Sequence, residues 1–291
     1  MSQASKLREL LAGNELIVAP GVFDGISAAL VGKLGFSAAY MTGAGVSAST
    51  YGLPDIGLLT LTEMAERARV IVARLDVPVI ADADTGYGSP INVIRTVQEY
   101  ERAGVAAVQL EDQVFPKRCG HLFGKEVVPT SEFERSLRAA LENRSDPDTV
   151  IIARTDALAI EGVDAVIERA QRYAEIGADV IFVEAPTSIE EIDRIADSVD
   201  APLLLNVVPG GRTPEVPHAR LAELGFRIAI HPGAALAAMV PAVVEALRSL
   251  REASPGLDNE VSPESFFDLV GLQQWNELGQ RYDEAATVGK E

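Results

Sequence analysis

Residues 77–112 read VPVIADADTGYGSPINVIRTVQEYERAGVAAVQLED. Val77–Thr85 is a short apolar run that ends in acids, Ser89-Pro90 offers a cap hydroxyl and a first-turn proline, and Ile91–Ala103 carries apolar residues at helical spacing. Gly104 is a left-handed-tolerant stop, and Ala106–Asp112 is the next apolar run. The stretch therefore reads strand, helix, strand, with the strands parallel. Outward from it the same phrase recurs. Candidate strands are Ile17–Asp24, Ala38–Gly45, Val77–Thr85, Ala106–Asp112, Val150–Ala157, Val180–Pro186, Pro202–Val208 and Arg227–Gly233. Leu61–Leu75, with Glu63, Glu66 and Arg67 on a polar face, is a further helix, and Gly177 ends another as Gly104 does. Eight parallel strands are what a closed (β/α)8 barrel of the TIM type needs; an open doubly wound sheet usually has fewer and shows a glycine-rich phosphate turn after its first strand.

The 291 residues suit one such barrel with an addition. Residues 1–253 form the expected barrel domain, with the eighth helix at about Ala234–Arg251. After the breaker cluster Ala253-Ser254-Pro255-Gly256, residues 254–291 form an extension with a helix from Pro263 to about Ala285. Phe266, Phe267, Leu269, Val270, Leu272 and Trp275 load that helix with apolar surface, which needs a partner in its own barrel or in another subunit. The aromatic residues there read as packing rather than ligand binding.

Composition is that of an ordinary globular protein, with 47% hydrophobic and 23% charged residues. No apolar run reaches a membrane span's roughly 18 residues. The opening MSQASKLRELLAG lacks the pattern of a secretory signal, which leads to the expectation of a cytoplasmic protein. A net charge of −18 argues against nucleic acid or an anionic membrane as partner. A small anionic substrate remains compatible, given a cation and local basic groups in the site.

Active residues of a barrel gather at the C-terminal ends of its strands. Asp82 and Asp84, at i and i+2 near the end of the third strand, point to one side, and Glu111 and Asp112 end the fourth. Such an oxygen-only set suits Mg²⁺ or Mn²⁺ rather than zinc, although acids there also cap the helices that follow. Next comes Lys117-Arg118-Cys119-Gly120-His121. The single cysteine, flanked by two cations and a histidine, has surroundings that favour a reactive thiol, where a cysteine is otherwise commonly a small buried hydrophobe. His231 reads either as a pocket residue or as a hydrogen-bonded core residue, and His218 has no context.

Lys117–His121 matches the KRCGH signature of the isocitrate lyase family, downstream of Asp82–Gly88 and Glu111-Asp112-Gln113. Ala153–Ala157, Glu184-Ala185, Asn206 and Gly52–Asp55 resemble further family segments, so that the likeness runs from about Leu10 to Leu250. The resemblance implies a barrel and a Mg²⁺ site formed by Asp82, Asp84 and Glu111. It further implies a mobile loop bearing Cys119, and a homotetramer, a dimer of dimers, in which the last helix is exchanged between subunits. It also implies a carbon–carbon lyase acting on a 2-hydroxy di- or tricarboxylate to give a 2-oxo acid and a smaller carboxylate. Cys119, Arg154, Tyr40 and Glu111 are the implied catalytic residues. Thr42, Gly43, Ala44, Asp55, Lys117, Arg118, Gly120, His121, Glu184 and Asn206 are the implied substrate contacts. The stretch Asn206–Pro214 resembles the dimethylmalate lyase branch more than methylisocitrate lyases, which ranks a 2-alkylmalate first. A P–C bond mutase or hydrolase, an oxaloacetate hydrolase and a non-catalytic barrel are the competing readings.

Overall fold

The computed structural model describes residues 1–120, 122–252 and 261–288, so His121 and the breaker cluster at 253–256 lie outside the described residues. Among the described residues the strands are β1 (Ile17–Val22), β2 (Ala39–Met41), β3 (Val79–Asp82), β4 (Ala107–Glu111), β5 (Val150–Thr155), β6 (Val180–Val183), β7 (Leu203–Asn206) and β8 (Phe226–His231). They pair in sequence order, and β8 closes on β1 through Ile17 opposite Ile228 and Pro20 opposite His231. The expected barrel is therefore present. The α-helices of the described residues are α1 (Gln3–Ala12), α2 (Gly25–Lys33), α3 (Gly43–Val46), α4 (Leu61–Val72), α5 (Pro90–Ala103), α6 (Thr130–Asn143), α7 (Leu158–Glu161), α8 (Val163–Ile176), α9 (Ile189–Ser198), α10 (His218–Glu223), α11 (Ala234–Arg251), α12 (Pro263–Leu269) and α13 (Leu272–Val288).

Local chemistry sets most boundaries. Ser89 caps α5 reciprocally with Asn92, whose Oδ1 accepts the Ser89 N–H at 3.0 Å, and Gly104 closes the helix at φ 88°. Thr60 and Glu63 form the same kind of box on α4, giving Glu63 a capping task in addition to its place on a polar face. Two expectations shift. The second strand stops at Met41 rather than Gly45, because Thr42 Oγ1 accepts the Gly45 N–H at 3.2 Å and starts a helical turn there. The single C-terminal helix expected from Pro263 is broken into α12 and α13 at Gly271, which takes φ 93°.

Side-chain parity divides the strands into two faces. Ile17, Ile80, Val150, Ile152, Val180, Phe182, Leu204, Ile228 and Ile230 fill the barrel interior with Leu7 of α1. Val108, Leu110, Ile151, Ala153, Ile181, Leu203 and Leu205 face the helices. Each fully buried large side chain, such as Phe182 or Ile152, contributes about 1.5–3 kcal/mol. This alternation also fixes which strand-end residues look inward.

The chain divides into two compact units, Met1–Leu236 and Ala237–Glu291. The division falls within α11 rather than at residue 253, and α11 has no buried side chain. The second unit exposes Val240, Val243, Leu247, Leu250, Phe267 and Trp275. Among the described residues no helix is long and apolar enough to cross a membrane.

Candidate active site

The inward parity that places Ile80, Ile152, Phe182 and Leu204 in the barrel continues to the strand ends as Asp82, Arg154, Glu184 and Asn206. Tyr40 and Thr42 continue β2 in the same way, and Gln109 and Glu111 continue β4. A cavity of about 390 Å³ opens there, lined by Tyr40, Thr42, Ala44, Asp55, Asp82, Lys117, Cys119, Gly120, Arg154, Glu184 and Asn206 among others. Most of the residues expected in the site are thus brought to one mouth from β2 to β7. Pro232 and Gly233 contribute from the end of β8. His231 pairs instead with His218, their Nε2 atoms 3.2 Å apart.

One side of the cavity is acidic. Asp82 Oδ2 accepts the Gly43 N–H at 3.3 Å, and its Oδ1 accepts the Asp84 N–H at 3.2 Å and Gln109 Nε2 at 3.4 Å. The Gly43 amide thereby ties the turn after β2 to the end of β3. Asp84 has a left-handed backbone (φ 48°), which aspartate tolerates better than most residues, and its Oδ1 lies 2.8 Å from Lys117 Nζ. The same ammonium is bonded to Asp55. Burial pushes Asp84 up to about 6 against the pull of Lys117, and pushes Glu111 well above the carboxylate range against Arg154 and Lys117.

Could this set hold a divalent cation? Among the described residues no three His, Cys, Asp or Glu side chains converge closely enough to enclose an ion by themselves. Mg²⁺ does not require that, since it keeps several waters and commonly takes only one or two carboxylates. Glu111 Oε1 is buried with no hydrogen-bond partner among the described residues, beside the inward pair Asp82 and Asp84. An unsatisfied buried carboxylate oxygen is costly unless something compensates it, so these residues fit a hydrated cation. Asp112 does not join them. As the neighbour of Glu111 it has the opposite parity, and it faces α8, where it accepts from Tyr173 Oη at 3.0 Å and Arg169 Nη1 at 3.4 Å.

The other side is cationic. Arg154 donates Nε to Asp156 Oδ2 at 2.8 Å and Nη2 to Asp156 Oδ1 at 3.1 Å. Its Nη2 also lies 3.6 Å from Glu184 Oε2, and its guanidinium stacks 5.1 Å from the Phe182 ring centre. Burial disfavours its charge, but Asp156, Glu184 and Glu111 together raise its proton affinity, so it remains a fixed cation. Asn206 Nδ2 donates to Glu184 Oε2 at 3.3 Å. Tyr40 Oη donates to Gln109 Oε1 at 3.3 Å, and burial, reinforced by Asp82, raises its pKa well above the phenol value. Tyr40 is thus a neutral hydrogen-bond donor in this arrangement.

A loop after β4 covers the mouth. Its neck is closed where Val114 N–H donates to Glu126 O at 2.8 Å and Val128 N–H to Asp112 O at 2.9 Å. Gln113 braces it from within, donating to Arg118 O at 2.8 Å and accepting the Arg118 N–H at 2.9 Å. Cys119 N–H donates to Asp55 O at 3.2 Å, which sets the thiol at the cavity wall. The flanking cations are arranged differently from expectation. Lys117 is engaged by Asp55 and Asp84, and Arg118 is exposed. Gly120 lies so close to Arg154 and Glu184 that no Cβ would fit, which means that the loop is seated on the site. His121 lies outside the described residues. Gln109, Asp156 and Lys125 were not singled out from the sequence, yet Gln109 stands two before Glu111 and Asp156 two after Arg154, so strand parity carried a signal for both.

The profile of the phosphoenolpyruvate phosphomutase family matches residues 7–251. The chain is 47% identical over 285 residues to 2,3-dimethylmalate lyase of Eubacterium barkeri, covering 97% of this chain and 99% of that protein. It is 43% identical over 272 residues to 2-methylisocitrate lyase of Aeropyrum pernix, covering 92% and 87%. Among solved structures, oxaloacetate acetylhydrolase in complex with 3,3-difluorooxalacetate superposes with a TM-score of 0.93 at 42% identity, over 97% of each chain. Matched along nearly its whole length in sequence and structure, the chain belongs to the phosphoenolpyruvate mutase/isocitrate lyase superfamily.

Proposed function

We propose that the protein is a Mg²⁺-dependent carbon–carbon lyase that cleaves a 2-hydroxy dicarboxylate of the 2-alkylmalate type into a 2-oxo acid, such as pyruvate, and a smaller carboxylate. The observation that carries this reading is the placement of Cys119 and the fixed cation Arg154 in one cavity with the acid set Asp82, Asp84 and Glu111 beside it. Asp82, Asp84 and Glu111 would hold Mg²⁺, or Mn²⁺ in its place, and the ion would supply a Lewis acid that eases loss of the proton from the 2-hydroxyl. Glu111, buried at the end of β4 with its Oε2 3.4 Å from Arg154 Nε, is the carboxyl placed to take that proton. Arg154 holds the carboxylate on which charge develops as the C–C bond breaks, and Asn206 with Glu184 orients it. Tyr40 donates to a substrate oxygen. Cys119 Sγ delivers the proton to the carbon left behind, under a loop that excludes water.

Relatives named for 2,3-dimethylmalate and 2-methylisocitrate support this class of substrate, and the higher identity to the former ranks the dicarboxylate first. The cysteine-bearing loop favours C–C over P–C chemistry. We further propose a cytoplasmic homotetramer, a dimer of dimers, in which the C-terminal helices carrying Phe267 and Trp275 are exchanged between subunits; their exposed apolar side chains support it. The test is release of 2-oxo acid or oxalate from 2,3-dimethylmalate, 2-methylisocitrate, isocitrate, citramalate and oxaloacetate, with Mg²⁺ or EDTA, by wild type and Cys119→Ser. EDTA-sensitive turnover that Cys119→Ser lacks supports the reading. Turnover of phosphonopyruvate without need of Cys119 would overturn it.

A further inference from the structure

The mechanism above leaves unused a deeply buried ammonium of the loop. Lys125 Nζ donates to the Gly120 carbonyl at 2.5 Å and to Asp156 Oδ1 at 2.8 Å, with its side chain 2% exposed. Asp156 is itself fully buried and anchored, its N–H donating to Asp112 Oδ1 at 2.9 Å. Its two oxygens take Arg154 side-on. One carboxylate thus receives a cation from the covering loop and a cation from the barrel floor. The Gly120 carbonyl that Lys125 grips belongs to the residue that packs on Arg154 and Glu184.

We propose that Lys125 is a positioning residue: it latches the described parts of the loop, 113–120 and 122–127, over the cavity and, through Asp156, fixes the orientation of Arg154. With the loop lifted, Lys125 would leave together with Gly120, which belongs to the same loop, and Asp156 would lose one of its two cationic partners. A buried ion pair deprived of a partner is strongly unfavourable, so the closed loop and the oriented guanidinium stabilise one another. Closing the loop therefore does more than exclude water. It sets the donor that receives the developing negative charge. This catalytic consequence rests on the lyase reading, whereas the latch itself does not.

The test uses the full-length, Mg²⁺-supplemented protein and its variants Lys125→Met and Lys125→Arg. Because the chain has one cysteine, the rate of Cys119 alkylation by iodoacetamide, read by intact mass, reports loop opening without reference to any substrate. Lys125→Met keeps the length of the stem, leaves Asp156 paired with Arg154, and should raise the alkylation rate about tenfold or more, as loss of a charge-assisted bond predicts. With the best substrate of the panel, kcat should fall by a similar factor with a smaller change in KM, and Lys125→Arg should restore most of both. If Lys125→Met does not fold, Lys125→Gln, which keeps a donor without charge, is measured in its place with the same expectation. Unchanged alkylation and kcat in a folded variant would overturn the proposal, as would a loss that Lys125→Arg does not repair. If wild type turns over no acid of the panel, the lyase reading fails while the alkylation rates still decide the latch.

Discussion

Replacing Gly120 by alanine tests whether the loop is seated as described. The new methyl would lie 2.5 Å from Glu184 Cδ and Cγ and closer still to Arg154 Nη2, where carbon contacts normally stand at about 3.5–4 Å. Neither neighbour can retreat freely, since Arg154 is held by Asp156 at 2.8 Å and Glu184 by Asn206 at 3.3 Å. The loop must therefore lift by about an ångström. Overpacking of this kind costs about 1–3 kcal/mol, and if the cost falls on the closed loop it lowers kcat/KM by about 5- to 150-fold. The barrel beneath is untouched, so the melting temperature should change by no more than a few degrees. The assay is steady-state cleavage of the best panel substrate, alongside the alkylation rate of Cys119 and a thermal melt. Wild-type kcat/KM with wild-type alkylation would refute the reasoning, because it would mean that Gly120 does not rest on Arg154 and Glu184 when the enzyme works.

Other outcomes follow from the same geometry. Asp156 is buried, yet Arg154 and Lys125 hold it down to about 2, below an unfolded value of about 3.9. A depressed carboxylate stabilises the native state above its unfolded pKa and loses that contribution as pH falls through its folded one. Asp156→Asn should therefore cost about 3 kcal/mol in urea unfolding at pH 7, with the gap narrowing as pH falls from about 4 towards 2. Asp112→Asn should lower stability by about 1–3 kcal/mol through its bonds to Tyr173 and Arg169 while leaving the Mg²⁺ dependence of turnover unchanged, whereas Glu111→Gln should weaken the response to Mg²⁺ in a metal titration. Trp275→Glu should shift the assembly to smaller species in analytical ultracentrifugation, if the exposed apolar face of the second unit is an intersubunit contact.

The frame of the barrel was legible because its signals are local. Ser89, Thr60, Gly104 and Gly177 stop and start helices through hydrogen bonds and backbone angles reached within a few residues. The acid pair Asp82 and Asp84 was legible because i and i+2 on a strand share a face whatever the strand packs against. Strand ends were less so: the Thr42 cap and the Gly271 break depend on a contest between turn and regular backbone that composition alone leaves open. Asp112 was misread as a member of the acid set because the reading did not carry parity one residue beyond Glu111.

The sequence by itself determined the alternation of strand and helix, the count of strands, the acid motif and the cysteine loop, since all of these are written in spacing and turn chemistry. Tertiary structure decided the partnerships. Lys117 meets Asp55 across 62 positions, Asp156 meets Lys125 across 31, and Asp112 meets Tyr173 across 61. Each depends on the closed barrel, which brings the loops and helices that follow different strands side by side irrespective of their distance along the chain. That closure is a property of all eight strands at once, and no local stretch contains it.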